Sequence, residues 1–417
     1  MKVVPIESEV NTINDCEVCG SVDLESVLDL GLHPMCDDLI KVGDDKSCED
    51  YPIEILYCKN CRTAHQKYQV PKHDLFPISY HYRARFTADV LEGMKGLVAS
   101  CEDQFGSLHE KKVLDIGCND GSLLNFFRDK GAETIGIEPT GACDDAIANG
   151  HSAICDYLSE EVALKVVDKY GKPDLITFTN VFAHIEDLKG VLNSLKILKH
   201  KDTKIIIENH YLGAVLTGNQ FDTFYHEHPR TYSYTSFKFM AQNLGLGIER
   251  LEFPSRYGGN IRVFIGSGDE FNSDINLAEL DSIEERFYDD FTELNTNIQL
   301  WLESKNKEIK KLIEDYGSIH AKAFPGRAAI LVKMLNLDSD TISKVYEKPG
   351  SLKIGHYLPG TRIPIHSDDE LINSDNLKLP ILNLAWHISD EIEKYLRNNN
   401  FTGEIIHILS ENDFKKV

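Results

Sequence analysis

The sequence is poor in positive charge and has no long apolar run. Its 417 residues hold 44 Lys and Arg against 67 Asp and Glu, which gives a formal net charge of −23 at pH 7. Such a surface repels phosphate backbones and anionic lipids at long range, so no nucleic-acid partner is expected. No stretch approaches the roughly 20 apolar residues of a membrane span, and the N-terminus lacks an export-signal pattern. We therefore expect a cytoplasmic protein without membrane contact.

The ten cysteines are unevenly spread, and six of them fall within residues 1–75. Without an export signal, reduced thiols and a metal site are expected rather than a disulfide framework. Two Cys-x-x-Cys pairs, Cys16 with Cys19 and Cys58 with Cys61, are separated by 38 residues. Together they offer the four thiolates of a zinc tetrahedron, which leaves no open position for a reacting water. The pairs predict a structural zinc site whose binding energy folds a segment with few apolar residues.

The remainder of the chain alternates strand-like apolar runs with amphipathic helical stretches, a pattern typical of a parallel α/β sheet. Strands are predicted at Lys112–Ile116, Glu133–Ile137, Leu175–Thr179 and 204–208. Apolar residues at three- and four-residue spacing over 275–316 predict one or two long helices. Further apolar runs at 328–332, 381–384 and 404–408, with a helical stretch at 389–397, indicate a second, smaller α/β unit. We predict three domains with the bounds 1–75, 76–295 and 296–417.

A glycine-containing loop follows the first predicted strand and reads Asp115-Ile-Gly-Cys-Asn-Asp-Gly121. Its glycines allow the backbone to approach a ligand, and the next helix presents its N-terminus. A third glycine of the dinucleotide fingerprint is missing, which favours a ligand with an amino-acid end over a pyrophosphate. Glu138 ends the next strand, where a carboxylate can accept hydrogen bonds from both ribose hydroxyls. The pattern favours S-adenosylmethionine, and the predicted contacts are Asp115, Gly117, Asn119, Asp120, Gly121, Glu138, Pro139, Asn180 and, at the adenine, Asp156.

Residues 220–228 read Gln-Phe-Asp-Thr-Phe-Tyr-His-Glu-His and concentrate two imidazoles, a phenol and two carboxylates. A histidine beside a carboxylate can act as a base near neutral pH, and a tyrosine or second histidine can stabilise an oxyanion. Metal binding is a competing interpretation, although His226 and His228 are two positions apart rather than four. A loop with a purely structural role is the other alternative.

At these motifs the chain resembles the zinc-containing sugar C-methyltransferases, which act on nucleotide-linked ketodeoxysugars, and the resemblance covers nearly the whole sequence. It rests on both cysteine pairs, the loop 117–121 and the stretches 181–185, 221–228, 258–263 and 353–361. The family implies a zinc-binding domain, a Rossmann-like class I methyltransferase domain and a C-terminal α/β domain that helps to enclose the substrate.

The resemblance also implies catalytic roles. The base that removes a proton beside the ketone would be His228, assisted by Glu227. Tyr225 and His184 would stabilise the enolate, and either Tyr80 or Tyr82 would complete the site. The implied substrate contacts also include Asn260, Arg262, Lys353 and Tyr357.

Several positions depart from the family pattern. Arg83 and Arg85 stand where serines are usual, and they are predicted to hold the diphosphate or a further anionic group of the substrate. An exposed basic helix start is the alternative for this pair. A Phe-Pro-Gly-Arg sequence at 324–327 replaces an Ala-Lys-Gly-like loop, and Glu347 replaces an aspartate.

Three functions are compatible with these observations. The leading one is C-methylation of a nucleotide-linked keto sugar, and the second is methyl transfer to a hydroxyl or carboxylate oxygen. The third is a noncatalytic protein that binds nucleotide sugars. The protein is expected to be a monomer or a homodimer.

Overall fold

A computed structural model describes residues 10–76, 82–268 and 270–414, without the side chains of Tyr257 and Asp375. The strands within these ranges are β1 (Asn11–Thr12), β2 (Leu24–Pro34), β3 (Asp50–Cys58), β4 (Thr63–Gln66), β5 (Tyr68–Gln69), β6 (Lys112–Ile116), β7 (Glu133–Ile137), β8 (Ser152–Ile154), β9 (Leu175–Thr179), β10 (Lys204–His210), β11 (Arg230–Thr231), β12 (Gly247–Glu252), β13 (Asn260–Gly266), β14 (Ile319–Lys322), β15 (Ile342–Glu347), β16 (Ile365–Ser367), β17 (Ile381–Asn383) and β18 (Ile405–His407). The α-helices are α1 (Lys72–Leu75), α2 (Ala88–Phe105), α3 (Ser122–Asp129), α4 (Ala142–Ala148), α5 (Glu160–Tyr170), α6 (Leu188–Leu198), α7 (Leu212–Thr217), α8 (Tyr234–Asn243), α9 (Leu277–Glu285), α10 (Phe287–Tyr316), α11 (Ala328–Met334), α12 (Asp368–Ile372) and α13 (Ser389–Asn398).

The N-terminal domain is built on a four-stranded antiparallel sheet in the order β11-β4-β3-β2. Strand β3 buries Ile53, Ile55 and Tyr57 on alternating positions, as expected for a strand with one face on a core. The edge strand β11 comes from far along the chain, directly after the predicted catalytic stretch. The zinc-binding domain therefore shares a sheet with the segment that carries the candidate base.

The central domain has a seven-stranded sheet in the order β12-β13-β10-β9-β6-β7-β8. The four strands predicted from the sequence are confirmed, and β10 runs two residues further, to His210. Neighbouring strands pair in parallel along the part of the sheet that comprises β10, β9, β6, β7 and β8. Strand β13 is antiparallel to both of its neighbours, β10 and β12. The prediction of a parallel sheet was therefore incomplete, because an antiparallel pair covers one edge.

The C-terminal domain has a five-stranded parallel sheet in the order β16-β15-β14-β17-β18. This confirms the second α/β unit, but the apolar run at 328–332 was interpreted wrongly as a strand. It lies in α11, where Ala328 to Val332 are all buried. A helix that is apolar on all sides cannot be distinguished from a buried strand by periodicity. The first strand of the domain is β14, just before this run.

Two helices, α9 and α10, occupy the segment predicted to be helical, and the predicted boundary at 295/296 falls inside α10. The ring of Phe291 lies 5.7 Å from Tyr57 and 5.9 Å from Phe224, measured between centroids. Further along, the indole of Trp301 donates to the carbonyl of Ile408 over 2.8 Å. Helix α10 thus contacts all three domains. In the described ranges, none of the helices combines the length and apolar character needed to cross a membrane.

One disulfide departs from the expectation of reduced thiols throughout. Cys143 in α4 and Cys155, which follows β8, are bonded to each other, while eight other cysteines are free thiols. The spacing of these two cysteines does not predict the bond, because the residues meet only when α4 packs beside β8.

Candidate active site

The four cysteines of the two predicted pairs converge at one point. Their Sγ atoms all lie within 4.8 Å of one another, with Cys16 3.3 Å from Cys61 and Cys19 3.5 Å from Cys58. A zinc–sulfur bond of about 2.3 Å corresponds to tetrahedral sulfur–sulfur edges of about 3.8 Å, so the four thiols fit the ion. The predicted zinc ligands are therefore brought together, and a fourfold thiolate site is structural rather than catalytic.

A cavity of about 490 Å³ lies at the carboxyl ends of the central strands and extends to the C-terminal domain. One end of this cavity is lined by six of the predicted cofactor contacts: Asp115, Gly117, Asn119, Glu138, Pro139 and Asn180. Gly117 has a φ of +70°, and a Cβ there would come within 2.6 Å of Val181. Only glycine leaves this backbone open to a ligand.

The carboxylate of Glu138 is held at the end of β7 by its own loop. One oxygen accepts from the backbone N–H of Asn119 over 3.0 Å, and the other accepts from the N–H of Thr140 over 2.9 Å. Burial raises the pKa of Asp115 to about 7, with a further contribution from the negative charge of Glu138, while the hydroxyl of Thr177 opposes the shift. Two acidic groups facing one cavity fit a ligand with hydroxyl groups and a cationic centre.

Three further predicted cofactor contacts do not line this cavity. Asp120 is buried and accepts from the backbone N–H groups of Ser122 and Arg85. Gly121 adopts a φ of +78° at the start of α3. Asp156 is exposed, whereas Tyr157 beside it lines an adjoining cavity of about 120 Å³. The roles predicted for these three residues as ligand contacts stay predictions.

The other end of the cavity is lined by His228, Glu227, Tyr225 and His184. Nδ1 of His228 lies 3.0 Å from the carbonyl oxygen of Thr223. Because a carbonyl only accepts hydrogen bonds, this nitrogen donates, and Nε2 of the neutral ring carries the lone pair. Burial, followed by the charges of His184 and His210, lowers the pKa of His228 well below its usual range. The ring is therefore an uncharged base at neutral pH.

The groups beside His228 are kept in their protonated forms. The ring of Tyr225 lies 4.2 Å from that of His228, and burial together with the charge of Glu227 raises the pKa of this phenol well above 10. Burial and the charge of Asp37 likewise raise the pKa of Glu227 well above its usual value. A protonated phenol is a hydrogen-bond donor, which a developing oxyanion needs.

The role of His184 differs from the simple donor suggested by the resemblance. Its Nδ1 donates to the carbonyl of Glu227 over 2.8 Å, and burial lowers its pKa to about 4. Nε2 of this neutral ring therefore has no proton to donate until it receives one. Of the two tyrosines left open, Tyr82 lines the cavity, whereas Tyr80 lies outside the described residues.

The predicted substrate contacts are divided among several places. Lys353 lines the cavity, and its Nζ donates to the carbonyl of Phe324 over 2.7 Å. Tyr357 accepts from the backbone N–H of Gly43 and does not line the cavity. Asn260 and Arg262 lie in β13, where both donate to the buried carboxylate of Glu208.

The two unusual arginines lie on the cofactor side of the cavity. Nε of Arg83 is 2.6 Å from a carboxylate oxygen of Asp145, and Arg85 is 3.2 Å from the other oxygen. Arg85 also lies 3.6 Å from Asp120. These ion pairs give the arginines acidic partners within the methyltransferase domain, and neither lines the cavity.

Five residues with titratable side chains line the reaction end but were not predicted as site residues: Cys36, Asp37, His210, Arg327 and His387. His210 could have been found, because it ends a strand predicted to stop two residues earlier, and side chains at carboxyl strand ends face ligand crevices. Asp37 and His387 come from the N-terminal and C-terminal domains, and only tertiary structure brings them to the cavity.

Three family models match successive parts of the chain. Residues 16–76 match a family of zinc-binding domains, residues 89–251 a methyltransferase domain and residues 255–409 a C-methyltransferase C-terminal domain. The C-methyltransferase NovU of Streptomyces niveus is 27% identical over 397 residues, which cover 92% of each chain.

Matches to solved structures cover only part of the chain. Magnesium protoporphyrin IX methyltransferase from Synechocystis is 16% identical, with a TM-score of 0.34, over 42% of this chain and 82% of that one. The PH0226 protein from Pyrococcus horikoshii is 16% identical, with a TM-score of 0.36, over 46% of this chain and 97% of that one.

Proposed function

We propose that the chain is a zinc-containing C-methyltransferase that methylates a carbon beside the ketone of a nucleotide-linked keto sugar. The matches to zinc-binding, methyltransferase and C-methyltransferase C-terminal domains, and the similarity to a C-methyltransferase along most of the chain, support this proposal. The observation that carries this proposal is the neutral imidazole of His228, with Nδ1 tied to a carbonyl and Nε2 left to accept a proton. A proton on carbon beside a ketone is acidic enough for such a base only when nearby donors stabilise the enolate.

The reaction begins with proton removal by His228. The electron pair of the broken carbon–hydrogen bond moves to the ketone oxygen, where the phenol of Tyr225 donates a hydrogen bond. Burial keeps that phenol protonated, so it is a donor throughout the working pH range. When bound, S-adenosylmethionine supplies the electrophilic methyl group that the enolate carbon accepts. The proton remains on His228 until the product leaves.

The cofactor is held by the loop 117–121 and the carboxylate of Glu138. Gly117 has no side chain and adopts a φ of +70°, which glycine tolerates, so its backbone would be open to the ligand. Glu138 accepts hydrogen bonds from the ribose hydroxyls. The buried carboxyl of Asp115 faces the same end of the cavity and interacts with the cationic part of the ligand.

The sugar and its nucleotide occupy the end of the cavity that three domains enclose. Lys353, from the C-terminal domain, contacts the diphosphate as a point charge. The keto-sugar acceptor itself rests on the sequence resemblance at 225–228 and 357–361. Oxygen methylation is the second candidate; Arg83 and Arg85, which would favour an additional anionic group on the substrate, pair with Asp145.

The test is to supply S-adenosylmethionine with a ¹³C-labelled methyl group together with a panel of nucleotide-linked 4-keto sugars. We expect the label on a ring carbon, with the chemical shift of a carbon-bound methyl group. A methoxy or methyl ester signal would contradict the proposal. A boiled sample and a sugar reduced to the alcohol serve as controls, because neither can form the enolate in the enzyme.

A further inference from the structure

The orientation of His228 depends on the backbone turn that precedes it. The N–H of His228 donates to the carbonyl of Tyr225 over 2.9 Å, and its Nδ1 donates to the carbonyl of Thr223 over 3.0 Å. Together the two bonds orient the imidazole, and the bond from Nδ1 sets its tautomer. A shift of either carbonyl would therefore turn the ring or leave its Nδ1 without a partner.

Gln66, from the zinc-binding domain, holds this turn on both sides. Its side-chain amide donates to the carbonyls of Phe224 and Tyr225 over 3.0 and 3.3 Å. Its backbone N–H donates to the carbonyl of Pro229 over 2.8 Å. The carbonyl of Tyr225 is thus shared by Gln66 and the backbone of His228. With 1% of its surface exposed, Gln66 has no competing water to replace these bonds.

The second cysteine pair sets the position of Gln66. Cys58 ends β3, and β4 begins two residues after Cys61. The hydroxyl of Thr63, the first residue of β4, lies 3.0 Å from Sγ of Cys61. Strand β4 then pairs with β11, which begins two residues after His228. The thiol cluster and the candidate base are therefore connected through four residues of one strand.

We propose that the zinc-binding domain positions the catalytic base and that Gln66 is the positioning residue through which it does so. The inference rests on the proposed function for the role of His228 as base. Zinc bound by the four thiols fixes the start of β4, and Gln66 at its end fixes the turn at 223–228. Gln66 touches neither substrate nor cofactor, so its contribution is to the rate of proton removal.

The chain offers a matched control in Gln69. This glutamine belongs to the same domain, is 2% exposed, and its amide donates over 2.8 Å to Glu17 rather than to the catalytic turn. In the zinc-loaded enzyme, Gln66→Met should lower kcat about 10- to 100-fold, since a small misplacement of a reacting group costs up to about 10²-fold. The KM for the keto sugar and the Kd for S-adenosylmethionine should stay within about twofold. Gln69→Met should keep kcat within about threefold.

A readout without substrate separates this inference from the proposed function. In protein labelled with ¹⁵N-histidine, the His228 signals, assigned with the help of His228→Gln, should show a protonated Nδ1 in the native protein and in Gln69→Met. Gln66→Met should lose this tautomer preference. If the tautomer changes but no keto sugar is methylated by the native enzyme, the positioning inference stands and the proposed function fails.

Two results would overturn the inference. One is a native tautomer and native kcat in Gln66→Met, and the other is an equal loss in both glutamine variants with equal zinc content. If Gln66→Met does not fold, Gln66→Asn replaces it, because this variant keeps the amide but withdraws it by one methylene. The same loss of kcat with an unchanged KM is then expected.

Discussion

The two ends of the cavity are built in different ways. At the cofactor end, Gly117, Asn119 and Glu138 come from one strand–helix–strand unit of the central domain, β6-α3-β7. At the reaction end, Asp37 comes from the N-terminal domain and Arg327 from the C-terminal domain. The cofactor end is thus a local structure, whereas the reaction end exists only when three domains are docked.

The difference shows which contacts hold the residues of each end in place. The loop at 117–121 is fixed by its own glycines and by Glu138, which accepts from the Asn119 N–H. The catalytic stretch is held from outside, by Gln66 on one side and on the other by Arg327, which makes two hydrogen bonds of 2.7 Å to Asp222. Substitutions at the cofactor end should weaken cofactor binding. Substitutions at the reaction end should lower the rate of methyl transfer or weaken the docking of the domains.

The largest effect is expected from His228→Gln, which removes the base and leaves the cofactor end intact. We expect kcat for methyl transfer to fall about 10²- to 10⁴-fold, as is usual for loss of a general base. Calorimetry should give a Kd for S-adenosylmethionine within about twofold of the native value. His226→Gln is the control, since its ring contacts the carbonyl of Tyr51 and does not line the cavity. Equal losses in both variants would contradict the assignment of the base.

Arg327→Met should disrupt the reaction end by removing the ion pair between the C-terminal domain and Asp222. Asp222 is fully buried, and this change leaves its carboxylate with the indole of Trp386 as its remaining side-chain donor. Removing one partner of a buried ion pair costs about 3–5 kcal/mol. Denaturant unfolding measures this loss, and adding Asp222→Asn should restore part of it. A double variant that is less stable than Arg327→Met would argue against the pair.

Glu138→Gln should weaken the cofactor end alone. Under the proposed function, the variant loses the charge that would accept hydrogen bonds from the ribose hydroxyls, and hydrogen bonds to charged groups contribute about 1.5–3 kcal/mol. The Kd for S-adenosylmethionine should rise about 10- to 100-fold, while kcat at saturating cofactor should change less than about threefold. A fall in kcat comparable to that of His228→Gln would erase the distinction between the two ends.

The smallest effects should appear in the pH dependence of stability, with opposite signs at the two ends. Burial lowers the pKa of His210 to about 3, below the value of about 6.5 for an unfolded histidine. The unfolded chain therefore binds more protons, and stability falls by up to about 1.4 kcal/mol per pH unit as the pH drops below 6.5. Burial raises the pKa of Asp115 to about 7, so its contribution reduces stability as the pH rises from about 4 to 7.

Thermal unfolding between pH 5 and 7 measures this contrast. The Tm of Asp115→Asn should rise relative to the native protein as the pH increases. The Tm of His210→Asn should rise relative to the native protein as the pH decreases. Parallel curves for all three proteins would contradict the burial of these groups.

The sequence predicted the locally encoded features well. Cysteine pairs, glycine loop and strand-end carboxylate each depend on spacing within one segment, and the zinc centre formed by Cys16, Cys19, Cys58 and Cys61 assembles as expected. The family resemblance added the catalytic stretch. Arg327, His387 and the disulfide between Cys143 and Cys155 were out of reach, because each depends on which elements pack side by side.

Errors in the sequence interpretation have similar causes. The run at 328–332 was expected to be a strand, since a helix buried on every side has no periodic pattern. Arg83 and Arg85 were predicted to contact the substrate from their position near the tyrosines. They form ion pairs with Asp145 and Asp120, which the sequence did not indicate, and their substrate role stays a prediction. The positive charge of an arginine in the sequence does not predict with which carboxylate it forms an ion pair.

Solvent exchange tests the central claim most directly, that proton removal belongs to the reaction end and is independent of the cofactor end. A nucleotide-linked 4-keto sugar is incubated in D₂O with S-adenosylhomocysteine in place of the methyl donor, and deuterium at the carbon beside the ketone is followed by NMR. Exchange should occur with the native enzyme and with Glu138→Gln and should be lost in His228→Gln. Exchange that persists in His228→Gln, or that is lost in Glu138→Gln at saturating ligand, would contradict the claim.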